Sequence, residues 1–147
     1  MRAEILSIGT EILIGSITNT NARYLAEKLA ENAIDSYFQV TVGDNVSRLA
    51  ESFETAARRS DIIITSGGLG PTEDDVTLEA LLHFLKRPAI RHQPTYRYLQ
   101  KRLRLAQYKM SKMIERQCLV PQGSVVFQNK NGAAPGILSK VERNGKT

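Results

Sequence analysis

Cysteine occurs once in this chain, histidine twice and tryptophan not at all. A lone cysteine, Cys118, forms no internal disulfide and builds no Cys-rich zinc site. His83 and His92 lack metal-ligand spacing and sit among apolar or basic neighbours, so neither reads as a ligand. Tyrosine and phenylalanine together number nine, too few for an aromatic platform under single-stranded nucleic acid. No apolar run approaches the roughly 20 residues that a bilayer requires. Glu4 and Glu11 interrupt the start of the chain where a signal peptide would be apolar. These absences give a soluble, cytoplasmic reading. What remains is ordinary for a globular protein, at 41% hydrophobic and 24% charged. A length of 147 residues suits one domain and excludes two full-sized cores. There is no internal repeat, low-complexity tract or linker.

The net charge of +5 conceals a division. Residues 1–85 hold 6 basic and 13 acidic side chains, whereas residues 86–147 hold 14 and 2. A basic half is either a solvated face or the footprint of an anionic partner.

Hydrophobic patterning alternates strand with helix. Residues 3–8 read as a buried strand ended by Gly9 and Thr10. Ala22, Leu25, Ala26, Leu29, Ala30 and Ala33 mark one face of a helix over residues 20–32. Residues 36–42 are rich in strand formers, and Gly43, Asp44 and Asn45 turn into a helix over residues 46–59. Residues 61–65 contain three successive isoleucines, the pattern of a central strand buried on both faces. A glycine loop follows, then a helix over residues 76–85 with Leu78, Leu81, Leu82 and Leu85 inward. Pro94 opens a helix over residues 94–109, with Leu99, Leu103, Ala106 and Met110 as its stripe and Arg97, Lys101 and Arg104 on the far side. Residues 124–127 and 136–141 read as short strands. The second runs into Asn144-Gly145, a strong hairpin signal with almost no return strand behind it. We therefore expect a chain that stops inside a hairpin. Three strand–helix repeats make an α/β layered fold with right-handed crossovers.

The chemistry concentrates where the strands end. GGLGPTEDDVT over residues 67–77 follows a buried strand and opens a helix. Its glycines permit close approach of backbone N–H groups, and the helix start adds positive potential, as at phosphate sites. It is neither a Walker A loop nor the dinucleotide fingerprint, since Glu73 stands where the third glycine belongs. Glu73, Asp74 and Asp75 would repel a phosphate unless a cation bridged them, and Mg²⁺ is commonly held by one or two carboxylates plus substrate phosphates. Equally, Asp74 or Asp75 could cap the next helix. Asp44 has the same two readings, cap or catalyst. Gly9, Thr10 and Glu11 after the first strand, and residues 43–45 after the second, should join the glycine loop at the carboxyl edge of the sheet, where open α/β sheets bind ligands. The segment NGAAPG over residues 131–136 reads as a turn, and Cys118 as a small buried residue.

Together these segments resemble a known family. SIGTEILIG over residues 7–15, ITNTN over 17–21, TVGDN over 41–45, GGLGPTEDDVT over 67–77, PQGS over 121–124 and NGAAPG over 131–136 are similar, in order, to the competence/damage-inducible CinA family. The resemblance implies a three-layer α/β/α sandwich with a mostly parallel sheet, the molybdopterin-binding fold of MoaB, MogA and MoeA. It implies ADP-ribose pyrophosphatase activity with a divalent metal, Mg²⁺, Mn²⁺ or Co²⁺. It assigns catalysis to Asp75 and Asp44, with Asp74 and Asp75 as metal ligands. Gly67, Gly68, Gly70 and Thr72 become the phosphate loop, and Gly9, Thr10, Glu11, Asn19 and Asn21 the family's first motif. The chain departs from the family at Ile114, where an asparagine is usual before Gln117, and at Cys118, where alanine is usual. The family also continues into a further strand, a Pro-Gly-Pro-Pro loop and a C-terminal helix, and many members carry an amidase domain. We expect those parts to be missing here.

Three readings follow. The first is hydrolysis of ADP-ribose to AMP and ribose 5-phosphate. The second is a molybdopterin- or nucleotide-binding module without hydrolysis. The third, carried by the basic half alone, is nucleic-acid binding, and it has the least behind it. A small-molecule nucleotide is thus the expected partner, no membrane is expected, and a homo-oligomer is open.

Overall fold

A computed structural model describes residues 1–142. The Asn144-Gly145 hairpin expected above lies outside the described residues. The chain forms two compact units, Met1–Gly68 with Asp74–Phe84, and Leu69–Glu73 with the chain from Leu85 onward.

The first unit is built on three parallel strands, β1 (Arg2–Ile8), β2 (Asp35–Val42) and β3 (Ile62–Ser66), in the order β2-β1-β3. Around them lie a four-residue helix α1 (Thr10–Leu13) and the helices α2 (Thr20–Glu31), α3 (Val46–Arg59) and α4 (Thr77–Leu85). Successive side chains of a strand face opposite sides of the sheet, and β1 uses both sides. Leu6 and Ile8 pack with Leu49, Phe53 and Ala56 of α3 and Ala80 of α4, joined by Leu81 and Phe84. Ala3 and Ile5 pack with Ala22 and Leu29 of α2, joined by Leu25, Ala26, Ile62 and Ile64. Helices therefore cover both faces of the sheet, which is the three-layer arrangement expected. Phe53 and Phe84 stack with ring centroids 5.4 Å apart, tying α3 to α4.

Three expectations need correction. The central strand is β1, buried from Ala3 to Ile8, not the isoleucine strand β3. Among the described residues β3 pairs only through β1, and its side chains are half-buried. The inward positions of α4 are Thr77, Ala80, Leu81 and Phe84, while Leu78, Leu82 and Leu85 are half-buried. Helix α2 ends at Glu31, and Ala33 stands beyond it with a left-handed φ of 54°.

The second unit carries α5 (Gln93–Leu105), which starts at Pro94 as expected but stops before Ala106. Leu99 and Thr95 are its buried positions, and Ala106 is exposed. Arg97, Lys101 and Arg104 face solvent as read from the sequence. Two antiparallel pairs complete the unit: β4 (Ala89–Arg91) with β5 (Leu119–Pro121), and β6 (Val125–Phe127) with β7 (Gly136–Leu138). The short helix α6 (Lys112–Arg116) starts at Ser111, whose hydroxyl accepts the Ile114 N–H at 3.2 Å. The loop before β7 is held as a turn. Asn129 Oδ1 accepts the N–H groups of Asn131 and Gly132, both at 2.9 Å, and Arg102 donates to the Gly132 carbonyl at 3.1 Å.

Candidate functional site at the carboxyl edge of the parallel sheet

Parallel strands deliver all their following loops to one edge. Here the loops after β1, β2 and β3 are joined there by hydrogen bonds. The Thr10 N–H and the Thr10 hydroxyl both donate to Asp44 Oδ2 at 2.8 Å, and the Asp44 N–H donates back to Thr10 Oγ1 at 3.2 Å. The Gly9 N–H donates to the Val42 carbonyl at 3.0 Å. Asp44 is therefore not the cap of α3. That position belongs to Asn45, whose Oδ1 accepts the Arg48 N–H at 3.0 Å. Freed from capping, the half-buried Asp44 carboxylate is oriented by Thr10. The Glu11 carboxylate folds back over Gly9.

Asn19 and Asn21 serve the same edge from the start of α2. Asn19 Oδ1 caps α2 by accepting the Ala22 N–H at 3.0 Å, and its Nδ2 donates to Ser7 Oγ at 2.8 Å. Asn21 Nδ2 donates to Ser66 Oγ at 2.9 Å. Ser7 and Ser66 are partners in register between β1 and β3, and Ser7 also pairs with Thr41 of β2. A row of hydroxyl side chains thus closes the sheet at this edge. Ser7 and Ser66 were not singled out from the sequence. Their signal is a polar residue placed where an apolar strand meets a glycine.

The glycine loop begins in the first unit. Gly67 and Gly68 both have positive φ, 109° and 62°. A Cβ on Gly67 would overlap the Ile8 carbonyl, and one on Gly68 would overlap Thr77 Oγ1. Only glycine lets the chain cross this closely over the end of β1. Thr77 secures the crossing, its hydroxyl donating to the Gly67 carbonyl at 2.9 Å and its N–H to the Gly68 carbonyl at 3.1 Å. Asp74 is exposed and Asp75 half-buried, immediately ahead of α4. Of the loop residues expected to act together, Gly67, Gly68, Asp74 and Asp75 belong to the unit that holds Gly9, Thr10, Glu11, Asn19, Asn21 and Asp44, whereas Gly70 and Thr72 belong to the second unit. Within the second unit Gln117 Nε2 donates to the Leu69 carbonyl at 3.2 Å. Gln117 sits beside the position where Ile114 replaces the usual asparagine.

The donor set bears on a metal. Among the described residues no group of three or more histidine, cysteine, aspartate or glutamate side chains is gathered to hold an ion. A closed structural site of the zinc type does not fit this unit. Two adjacent carboxylates, Asp74 and Asp75, do fit a hard divalent ion that takes its remaining ligands from substrate phosphates and water. Cys118 is fully buried, and burial, followed by the nearby Glu115 carboxylate, pushes its thiol above the ordinary value despite Arg91. It is a packed residue, as read from the sequence. Among the described residues no helix is long and apolar enough to cross a membrane.

Comparison with known proteins matches these features to one family. The family model described as "Probable molybdopterin binding domain" covers residues 4–143. A competence-damage inducible protein of Caldicellulosiruptor bescii is 46% identical over 146 residues, covering 99% of this chain and 35% of that protein. A CinA-like protein of Kosmotoga olearia is 42% identical with the same coverage. The chain thus spans about a third of the length of these curated relatives. The crystal structure of CinA from Thermoplasma acidophilum, a protein described there as of unknown function, superposes with a TM-score of 0.87 at 26% identity, covering 99% of this chain and 83% of that one. The molybdopterin biosynthesis enzyme MoaB of Thermus thermophilus shares the fold, with a TM-score of 0.56 at 23% identity over 85% of this chain and 72% of that one. On the sheet, its helices and the sequence match together, the chain belongs to the family of the probable molybdopterin binding domain, in its CinA-like branch.

Proposed function

We propose that this domain binds a nucleotide through its phosphates and hydrolyses ADP-ribose to AMP and ribose 5-phosphate with a divalent ion. The observation that carries the reading is the junction of Thr10 and Asp44 with the Gly67–Gly68 crossing at one sheet edge. Two loops bring a fixed carboxylate and a third brings backbone that no side chain obstructs. Phosphate seats over such backbone, and phosphoryl transfer needs mainly positioning and charge stabilisation. Asp74 and Asp75 would hold the ion, which supplies Lewis-acid polarisation of the phosphate when bound. Asp44, aimed by Thr10, accepts a proton from the attacking water. Water adds to one phosphorus, the bridging P–O bond breaks, and the bridging oxygen leaves with one product. The reading puts the chemistry within the first unit and does not require Gly70 or Thr72.

The test is release of AMP from ADP-ribose by the chain, with a divalent metal and then with a chelator. Metal-dependent AMP release that Asp75→Ala abolishes is the expected result. Undiminished turnover by Asp75→Ala, or turnover in chelator, would overturn the assignment. One observation favours a second reading, a molybdopterin- or nucleotide-binding module without hydrolysis: the described residues gather no three-ligand metal cluster. Binding of a pterin or nucleotide with no AMP released would establish that reading instead.

A further inference from the structure

The turn between α1 and α2 presents three large apolar side chains to water. Leu13 is 54% exposed, Ile14 72% and Ile17 51%. The segment is nevertheless tightly closed. The Gly15 N–H donates to the Ile12 carbonyl at 3.2 Å and the Ser16 N–H to the Glu11 carbonyl at 3.0 Å, with Gly15 in the left-handed region at φ 75°. This is the double bond of a Schellman close, satisfied by backbone alone. At its far end Asn19 fixes the chain to Ser7. A rigid turn that holds apolar side chains in water costs free energy, and contiguous patches of this kind mark binding surfaces.

Its position says what binds. Leu13 Cδ1 lies 3.1 Å and Thr10 Oγ1 3.2 Å from where a Cβ on Gly43 would stand. The apolar lip and the Thr10–Asp44 pair therefore share one glycine. Ligand sites combine such an apolar wall with a few fixed polar groups. We infer that Leu13, Ile14 and Ile17 form the platform for the heterocyclic ring, purine or pterin, of the phosphate-bearing ligand. The inference rests on the proposed function in placing that ligand at this sheet edge. A ring is a better fit than a second copy of the chain. Three side chains within five residues can cover one heterocycle, whereas a stable dimer buries about 800 Å² on each partner.

Calorimetric titration of the chain with ADP-ribose and with inorganic pyrophosphate tests this, in wild type and in Ile14→Ser/Ile17→Ser. Both side chains are more than half exposed, and circular dichroism checks that the variant folds. The expected result is a wild type that prefers ADP-ribose over pyrophosphate by about tenfold or more, a preference that the double variant loses and Ile14→Leu/Ile17→Leu retains. A variant that keeps the full preference overturns the inference, as does a wild type that binds both probes equally. A wild-type dimer in sedimentation that the serine variant breaks would assign the lip to a second copy and also overturn it. Binding of neither probe by wild type would overturn the proposed phosphate site, and the inference with it.

Discussion

Thr10 places two donors, its backbone N–H and its hydroxyl, on the same oxygen of Asp44, each at 2.8 Å. The carboxylate is oriented by a residue 34 positions earlier, across the β1–β2 step of the sheet. Thr10 is thereby a positioning residue. Thr10→Val removes the hydroxyl donor but keeps the branched shape. Its kcat/KM for ADP-ribose should fall by about tenfold, the scale of one charge-assisted hydrogen bond, with the fall mainly in kcat. Thr10→Ser should recover most of the loss, and the thermal midpoint should change little because the pair is solvent-exposed. Equal activity in Thr10→Val and wild type would mean that the orientation of Asp44 does not matter to turnover.

Gly67 is constrained for a different reason. Its φ of 109° is closed to side-chain-bearing residues, and a Cβ would overlap the Ile8 carbonyl on the central strand. Gly67→Ala should cost at least about 2 kcal/mol in urea denaturation, combining backbone strain with displacement of β1. The alternative Gly15→Ala, where φ is also positive but nothing stands within 4 Å, should cost less. Equal losses at the two sites would show that strain alone matters and that the approach to Ile8 does not.

How legible all this was in the sequence depended on length and period. Helices α2 and α3 and strands β1 and β2 were read within a residue or two, because each repeats its apolar pattern over at least seven residues. The strands β4 and β5 and the helix α6 were not read, since three to five residues carry no period, and Pro88 and Pro121 punctuate them as loops. Burial was misjudged where composition stood in for topology. Three isoleucines suggested that β3 was central, but hydrogen-bonded neighbours on both edges belong to β1, which contains Glu4 and Ser7 and reads as less apolar. Asp44, Thr10, Asn19 and Asn21 were legible as a set because each follows or precedes a strand end. Their pairing with one another, and with Ser7 and Ser66, was not, because it depends on register.

Glu4 shows what that register permits. It is 1% exposed on the central strand, and Arg59 at the end of α3 meets it with two donors, Nε at 2.8 Å and Nη2 at 2.6 Å. The same guanidinium lies 3.6 Å from the Phe38 ring centroid. The hydrogen bond to Glu4 holds Arg59 further above its ordinary value, against the opposing effect of burial. Arg59→Met should leave a buried carboxylate without its partner and lower the thermal midpoint by roughly 5 °C or more. Glu4→Leu/Arg59→Met should recover much of that loss, because a buried pair replaced by apolar groups is often neutral. A double variant no better than the single one would mean that Arg59 acts through its stacking on Phe38 and not through the charge.

Asp61 gives the domain a defined acid response. Its Oδ2 accepts the Arg2 N–H at 2.8 Å, and Oδ1 stands 3.7 Å from the Arg2 guanidinium. The backbone hydrogen bond first, and the Arg2 charge after it, outweigh burial and hold the carboxyl below its ordinary 3.8. A carboxylate depressed in the folded state favours folding when ionised. That contribution is complete above the unfolded value and is lost as pH falls through the folded one. Asp61→Asn should therefore be less stable than wild type at neutral pH, with the gap constant down to about pH 4 and closing below it. Calorimetric midpoints for the two proteins from pH ~7 to ~2.5 would show this directly. A gap that persisted unchanged at the acid end would mean that the side chain holds β1 to the start of β3 as a neutral acceptor, with no part played by its charge.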